Sequence, residues 1–303
     1  MQPAKTVTAP GELLPFLFAA WPEVKKTKIR QWLKHGSVRV NGVAITHHAH
    51  PLRTGDAVQI QVEKPDPAAA ALPLGLRIVF EDDAMIVIEK PADLLSVATD
   101  TGGNERTAYF ALTDYVRQRH RRDARVWIVH RLDKETSGLM VFARTMEAKK
   151  WLQEHWQQME KRYQAVVTGR LAEPVGTLRH HLDEGQPHRV MIRPAGPETR
   201  EAVTHYRLLG AGNGRSLLEL TLATGRRHQI RVQLAASGCP LVGDSKYGPG
   251  AAEARGRLCL HASLLKLIHP TTEVEMKFES PLPLPLVALL GPNFDRDGNG
   301  LAS

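Results

Sequence analysis

The chain has 303 residues, enough for two domains with one substantial core, and its 42% hydrophobic content is that of an ordinary globular protein. Forty Lys and Arg against 32 Asp and Glu leave a formal charge of +8, which favours polyanionic partners; no apolar run approaches the roughly 18 residues of a membrane span. Residues 1–10 lack a signal-peptide core, and Cys239 and Cys259 sit beside apolar residues as reduced, buried thiols would, so a cytoplasmic location is expected.

The first part of the chain runs over residues 11–64. Thr27 is placed to cap a helix over 27–35, with Ile29, Trp32 and Leu33 on one face, Lys28, Arg30 and Lys34 elsewhere, and Gly36 as its stop. Val38-Arg39-Val40-Asn41-Gly42-Val43 reads as a hairpin, because Asn-Gly supplies the two positive φ angles of a tight type I′ turn. Thr54-Gly55-Asp56 makes a second turn, and Val58, Ile60 and Val62 alternate along the strand after it. His47, His48 and His50 invite a zinc site, but no matching cysteine or carboxylate set accompanies them, and a solvated loop is expected.

A linker over 65–74 follows, built on Pro-Asp-Pro-Ala-Ala-Ala-Ala-Leu-Pro. In the third part, 75–290, strands are expected over 78–80, 85–88, 126–129, 139–143, 164–168 and 218–222, with helices over 145–161 and 228–237. Several strands follow one another without intervening helices, so an α+β fold with a mixed sheet fits better than a regular βαβ repeat. Arg117, Arg119, Arg121, Arg122 and Arg125 form a basic cluster that suits either an exposed helix end or an RNA-backbone contact. The glycine-rich segment 210–214 reads as a turn between strands, not a phosphate-binding loop. Residues 291–303 are polar and Gly-rich, the composition of a frayed tail.

The most informative stretch is His130-Arg131-Leu132-Asp133-Lys134-Glu135-Thr136-Ser137-Gly138, between two apolar runs that read as buried strands. It holds Asp133 on a short polar turn between core elements, where an acid is rigidly aimed. Taken alone, Asp133 reads as a turn residue or a surface ion-pair partner rather than as a catalytic acid.

The same stretch resembles the catalytic motif of the RluA-type RNA pseudouridine synthases: His-Arg-Leu-Asp, two residues, then Thr-Ser-Gly leading into an apolar strand. Four further segments match that family in order. They are the Lys-Pro motif at Lys90-Pro91, with Asp93 where glycine is usual; Lys161-Arg162-Tyr163-Gln164-Ala165; Thr224-Gly225-Arg226-Arg227-His228-Gln229-Ile230-Arg231, with Arg227 where a small hydroxyl residue is commoner; and Leu260-His261-Ala262 with His269-Pro270. Residues 11–64 resemble the small S4-type RNA-binding module.

The resemblance implies a pseudouridine synthase-like fold, with a largely antiparallel mixed sheet flanked by helices. It implies isomerisation of uridines in structured RNA, rRNA first and tRNA second. Asp133 is then the nucleophile, Arg231 its ion-pair partner, and Tyr163 the ring against uracil and a candidate to help remove the carbon-5 proton. Arg131 fills the stack that the flipped base vacates, and Lys25, Lys28, Arg30 and Lys34 meet RNA; Lys90 is read as an RNA contact that neutralises phosphate, or as a packed stem, and not as a chemical group. The reaction neither oxidises nor hydrolyses, so no cofactor or metal is implied; a monomer with no obligate protein partner is expected. Two other classes compete: a non-catalytic RNA-binding protein of the same fold, which has no reason to keep Asp133, Tyr163 and Arg231 together, and a glycosidase or nucleosidase, for which no second acid stands at a recognisable spacing.

Overall fold

The computed structural model describes residues 4–34, 37–45, 47–60, 72–98, 106–119, 123–187, 189–248, 257–291 and 294, the side chains of Gln31, Lys34 and Ala44 excepted. His35, Gly36, Val62, Arg121, Arg122, most of the expected linker and most of the expected tail lie outside these residues. The chain divides into two compact units, Met1–Asp66 with His269–Val274, and Pro67–Ile268 with Glu275–Ser303.

The smaller unit contains β1 (Lys5–Thr6), β2 (Gly11–Glu12), α1 (Leu13–Ala20), α2 (Lys26–Lys34), β3 (Val38–Val40), β4 (Val43–Ala44), β5 (Pro51–Leu52) and β6 (Ala57–Ile60). Its sheet runs β1-β6-β3-β4, and β2 pairs with β5. Asn41 at φ 51° and Gly42 at φ 83° make the expected tight turn between β3 and β4. Leu13 and Leu17 of α1 and Ile29 and Leu33 of α2 close over Val38 and Val58. Thr27 does not cap α2: the helix begins at Lys26, and the Lys25 carbonyl accepts from Lys28 and Ile29. His47 and His48 are exposed and stacked on each other, and no group of three metal-ligand side chains occurs among the described residues.

The larger unit contains β7 (Arg77–Glu81), β8 (Met85–Lys90), α3 (Ala108–Arg119), β9 (Trp127–Ile128), β10 (Ser137–Ala143), α4 (Met146–Glu154), β11 (Glu160–Thr168), β12 (Val175–Asp183), β13 (Met191–Arg193), β14 (Thr199–Gly212), β15 (Arg215–Leu222), α5 (Gln229–Ala236), β16 (Leu260–Ile268), β17 (Glu275–Glu279) and α6 (Leu284–Val287). Its 11-stranded sheet runs β13-β12-β14-β15-β11-β16-β10-β8-β7, with β9 on β10 and β17 on β16. Among the described strands only β10 and β16 pair in parallel, so the fold is α+β with a mixed, largely antiparallel sheet.

Every residue of β10 is buried, because the strand has a helix on each face. Met140 and Phe142 pack with Leu112 and Val116 of α3, while Leu139 and Val141 pack with Ala148 and Leu152 of α4. Further along the sheet, Ile230 and Leu234 of α5 lie on Ala165, Val167, Leu218 and Leu220. Gly138 has φ +114° and lies against the Ala262 backbone, so a side chain there would separate β10 from β16.

Two boundaries differ from expectation. The helix expected over 145–161 ends at Glu154: Thr145 caps it by accepting from the Ala148 N–H at 3.1 Å, Trp156–Gln158 make one 3-10 turn, and β11 begins at Glu160. The helix expected over 228–237 starts after His228, which is left-handed at φ 50°. Asn213 at φ 53° and Gly214 at φ 67° turn β14 into β15, as a glycine-rich hairpin should.

Candidate active site

The β9–β10 loop is tied down at alternate residues. His130 Nε2 accepts the Val141 N–H at 3.1 Å, which leaves the ring proton on Nδ1. Ser96 Oγ donates to the Leu132 carbonyl at 2.7 Å and accepts the Leu132 N–H at 3.2 Å. Lys90 Nζ donates to the carbonyls of Lys134 at 3.0 Å, Leu94 at 2.7 Å and Pro91 at 2.9 Å. The Thr136 N–H closes the turn on the Asp133 carbonyl at 3.1 Å. Asp133 is therefore presented by a backbone fixed on both sides of it.

Lys90 was expected to neutralise RNA phosphate or to pack its stem; the structure corrects the RNA contact and has the packed lysine. It is fully buried and all three of its protons go to backbone carbonyls, so it braces the Asp133 loop from below. Burial pulls its pKa down to about 8, against the opposing pull of Asp133, Asp93 and Glu135. Asp93, where the family has glycine, takes φ 62°; aspartate tolerates this left-handed conformation better than most residues, which accounts for the departure.

The facing wall comes from α5 and the segment after it. Arg231 is 2% exposed, and its fork is divided. Nε and Nη2 donate to Asp244 at 2.9 and 2.8 Å, while Nη1 lies 3.5 Å from Glu135 Oε2 and 3.8 Å from Asp133 Oδ2. The expected Arg231–Asp133 ion pair is present but long, and the principal partner is Asp244. Burial alone would raise the Asp244 carboxyl; the guanidinium, with the N–H groups of Lys246 and Tyr247, holds it below the usual carboxylate range. Gly243-Asp244-Ser245-Lys246-Tyr247-Gly248 carried a readable signal, an aspartate bonding to its own turn, but spacing alone could not pair it with Arg231.

Between these walls lies a pocket of about 290 Å³, lined by Asp133, Tyr163, Lys161, His228 and Arg231 among others, with Leu132, Leu222, Ile230 and Leu260 supplying apolar surface. Tyr163 stands on β11 with its hydroxyl pKa raised by burial and by the Asp133 charge, so it is a neutral phenol throughout the physiological range. His228 contacts the Tyr247 hydroxyl through Nδ1 at 2.8 Å, and burial lowers its pKa. Arg131 lines the pocket from an exposed position and has no ion pair among the described residues. The Arg227 guanidinium donates to the carbonyls of Glu184 and Pro187 at 2.8 Å, a tether a small hydroxyl side chain could not make.

Asp133, Tyr163, Arg231 and Arg131 are thus brought to one pocket. The cations expected on α2 belong to the smaller unit. Lys25 is exposed and pairs with Glu273 of that unit at 2.6 Å; Lys28 lies over the Trp32 ring and Arg30 over Phe18. The Lys34 side chain lies outside the described residues. Sequence reasoning did not single out Asp244, His228 or Lys161 as pocket residues.

Residues 84–236 match the RNA pseudouridylate synthase family model. The chain is 36% identical over 273 residues to the uncharacterized RNA pseudouridine synthase YhcT of Bacillus subtilis, covering 86% of each chain. It is 35% identical over 288 residues to ribosomal large subunit pseudouridine synthase D of Escherichia coli K12, covering 89% of this chain and 86% of that one. Among solved structures, human RNA pseudouridylate synthase domain containing 4 superposes with a TM-score of 0.58 at 26% identity, over 70% of this chain and 91% of its own. With the five motifs in family order and the fold shared, the chain belongs to the RluA-type RNA pseudouridine synthases, isomerases that act on RNA.

Proposed function

We propose that this protein converts specific uridines of structured RNA to pseudouridine with Asp133 as the nucleophile, and that large-subunit ribosomal RNA is its substrate. The supporting observation is the fixed placement of Asp133, on a loop braced by Ser96 and Lys90, in the same pocket as Tyr163 and beside Arg231. The reaction breaks the bond from N1 of uracil to C1′ of ribose, turns the base, joins C5 to C1′, and moves one proton from C5 to solvent while N1 gains one. A carboxylate can carry the detached state covalently or electrostatically. Arg231 places positive charge beside that carboxylate, and Asp244 keeps Arg231 in place. Tyr163 holds the ring by its face, and Arg131 is free to stack into the gap the base leaves.

The substrate rests on the relatives named as large-subunit pseudouridine synthases. The smaller unit, with an amphipathic basic helix beside an Asn-Gly hairpin, is proposed as an S4-type arm that tracks RNA phosphates through Lys25, Lys28, Arg30 and Lys34.

The test is to map pseudouridines across ribosomal RNA from cells with and without the protein, and to repeat the map with Asp133→Asn. That variant should make no product in a single turnover and yet bind RNA nearly as well, because phosphate contacts supply most of the affinity. Full product from verified Asp133→Asn protein refutes the nucleophile assignment. A ribosomal map unchanged by removing the protein refutes the substrate.

A further inference from the structure

One cation of the pocket has no assigned task. Lys161 lines it two residues before Tyr163 on β11, and strand alternation puts both side chains on the same face. It is 9% exposed. Its ammonium donates to the Trp156 carbonyl at 2.7 Å and lies 5.4 Å from the Trp156 ring centre, and no carboxylate pairs with it among the described residues. The contrast with Lys90 is direct: there three carbonyls take all three protons, whereas here one is taken and two remain. A covered cation with neither a counter-ion nor a full set of acceptors is costly, and an incoming acceptor would offset that cost.

What arrives at this depth is the base. With the pocket read as the uridine site, a flipped nucleotide enters base first and its phosphates stay at the rim, where Arg131 is exposed. The hydrogen-bond acceptors that uracil presents are its carbonyl oxygens. When the N1–C1′ bond breaks with its electron pair left on the base, negative charge spreads onto O2 and O4; if Asp133 adds to C6 instead, the enolate charge sits on O4. Either route loads a carbonyl oxygen.

We propose that Lys161 is a catalytic residue that donates to a carbonyl oxygen of the flipped uracil and stabilises the charge gathering there. The inference rests on the reading of this pocket as the uridine site. Burial alone pulls the Lys161 pKa down to about 8. Its ammonium is then lost as pH rises through that value, and with it the stabilisation. The other groups lining the pocket do not mimic this. His130 is neutral, with its pKa pushed to about 3 by burial and by Lys161, His228 titrates below its ordinary value, and Tyr163 titrates above its own. Burial would lower the Arg231 pKa, but Asp244 and Asp133 outweigh it and raise it, so Arg231 keeps its charge. Lys90, behind Asp133, also has its pKa drawn down to about 8, so the experiment has to separate the two lysines.

The experiment uses the full chain and a large-subunit ribosomal RNA transcript tritiated at carbon 5 of uridine, with tritium release followed in single turnovers. Lys161→Met should slow release about 100-fold or more, the usual cost of one donor to a developing oxyanion, while RNA affinity holds. Wild type should lose rate above about pH 8. Lys161→Arg should keep its rate at higher pH, because guanidinium stays charged; a purely structural lysine would show no such displacement, and this variant carries the test if Lys161→Met fails to fold. A limb that stays in place in Lys161→Arg belongs to Lys90 and overturns the proposal. So does a Lys161→Met protein with normal rate but weaker, less salt-dependent binding, which would mark a phosphate contact. Asp133→Asn run in parallel keeps the two readings apart. If it retains full activity, the pocket reading fails; if it is dead while Lys161→Met is fully active, only the role of Lys161 fails.

Discussion

The two buried cations around Asp133 and the cations at and just before α2 have the same formal charge and opposite surroundings. Arg231 and Lys90 are buried, each with its protons committed to named acceptors at 2.7 to 3.0 Å in the closest contacts. Lys25 and Arg30 are exposed, and Lys28 is half-buried over a tryptophan ring. Buried charges act one at a time, through geometry, with little sensitivity to salt. Exposed charges act in sum and are screened within about 8 Å at physiological ionic strength. The first kind fixes where an atom sits; the second raises the affinity of the whole surface for a polyanion. Substitutions in each set should therefore fail in different ways.

The largest effect is expected at the Arg231–Asp244 pair. Arg231→Met strands two buried or half-buried carboxylates, and Asp244→Asn strands a guanidinium that is 2% exposed. Breaking one side of a buried pair costs about 3–5 kcal/mol, which denaturant titration reads directly. Activity should fall with stability in Arg231→Met, while Asp244→Asn should leave some turnover, since Arg231 can still turn toward Asp133. Equal stability of either variant with wild type would mean that the pair is solvated. The acid limb sharpens the point. The folded-state pKa of Asp244 lies below its reference of 3.8, so its stabilisation is complete above that value and is lost as pH falls through the lower, folded one. Asp244→Asn should unfold less steeply with acid than wild type.

Lys90→Met comes next. It leaves the carbonyls of Pro91, Leu94 and Lys134 without their donor but also removes a buried charge, so a net loss of about 2 kcal/mol is expected. Because the Asp133 loop loses its brace, kcat should fall while the RNA dissociation constant holds. A loss of affinity with kcat intact would return Lys90 to the RNA-contact role that its motif suggested.

Lys90 also shows where sequence reading stops. Apolar runs and turn residues located β8, β10 and the hairpins at Asn41-Gly42 and Asn213-Gly214, because strand period and positive φ are local properties. The motif order pointed to Asp133, Tyr163 and Arg231, which line one pocket. Burial and partnership are not local. Nothing between residues 231 and 244 announces that Arg231 divides its fork, and nothing near Lys90 says that three carbonyls surround it. The helix expected to reach 161 failed for a related reason. The sequence from Met146 to Lys161 has no Gly or Pro to stop a helix, but Glu160–Thr168 is claimed by β15 and β16 on either side, and pairing in the sheet overrides local preference. The long strand β12 was not expected, and β14 only as a strand without bounds before the turn at 210–214, since their many polar residues blur the alternation.

The smallest effect per residue is expected on α2, where the comparison is tested from the other side. Lys25→Gln, Lys28→Gln and Arg30→Gln together remove three positive charges without uncovering a buried partner: Lys25 gives up one exposed pair, and the other two give up their places over surface rings. Exposed substitutions of this kind change stability by about 0.5 kcal/mol or less each, and turnover at saturating RNA should be unaltered because Asp133, Tyr163 and Arg231 belong to the other unit. Binding is where they should register. For every phosphate that the helix no longer neutralises, the log–log dependence of affinity on salt should flatten by about 0.7 to 0.9. Titrating one structured ribosomal transcript at several salt concentrations with wild type and the triple variant measures that slope. A slope unchanged within error would show that α2 faces solvent and not RNA, and would leave the exposed Arg131 and its neighbours to carry the electrostatic part of binding.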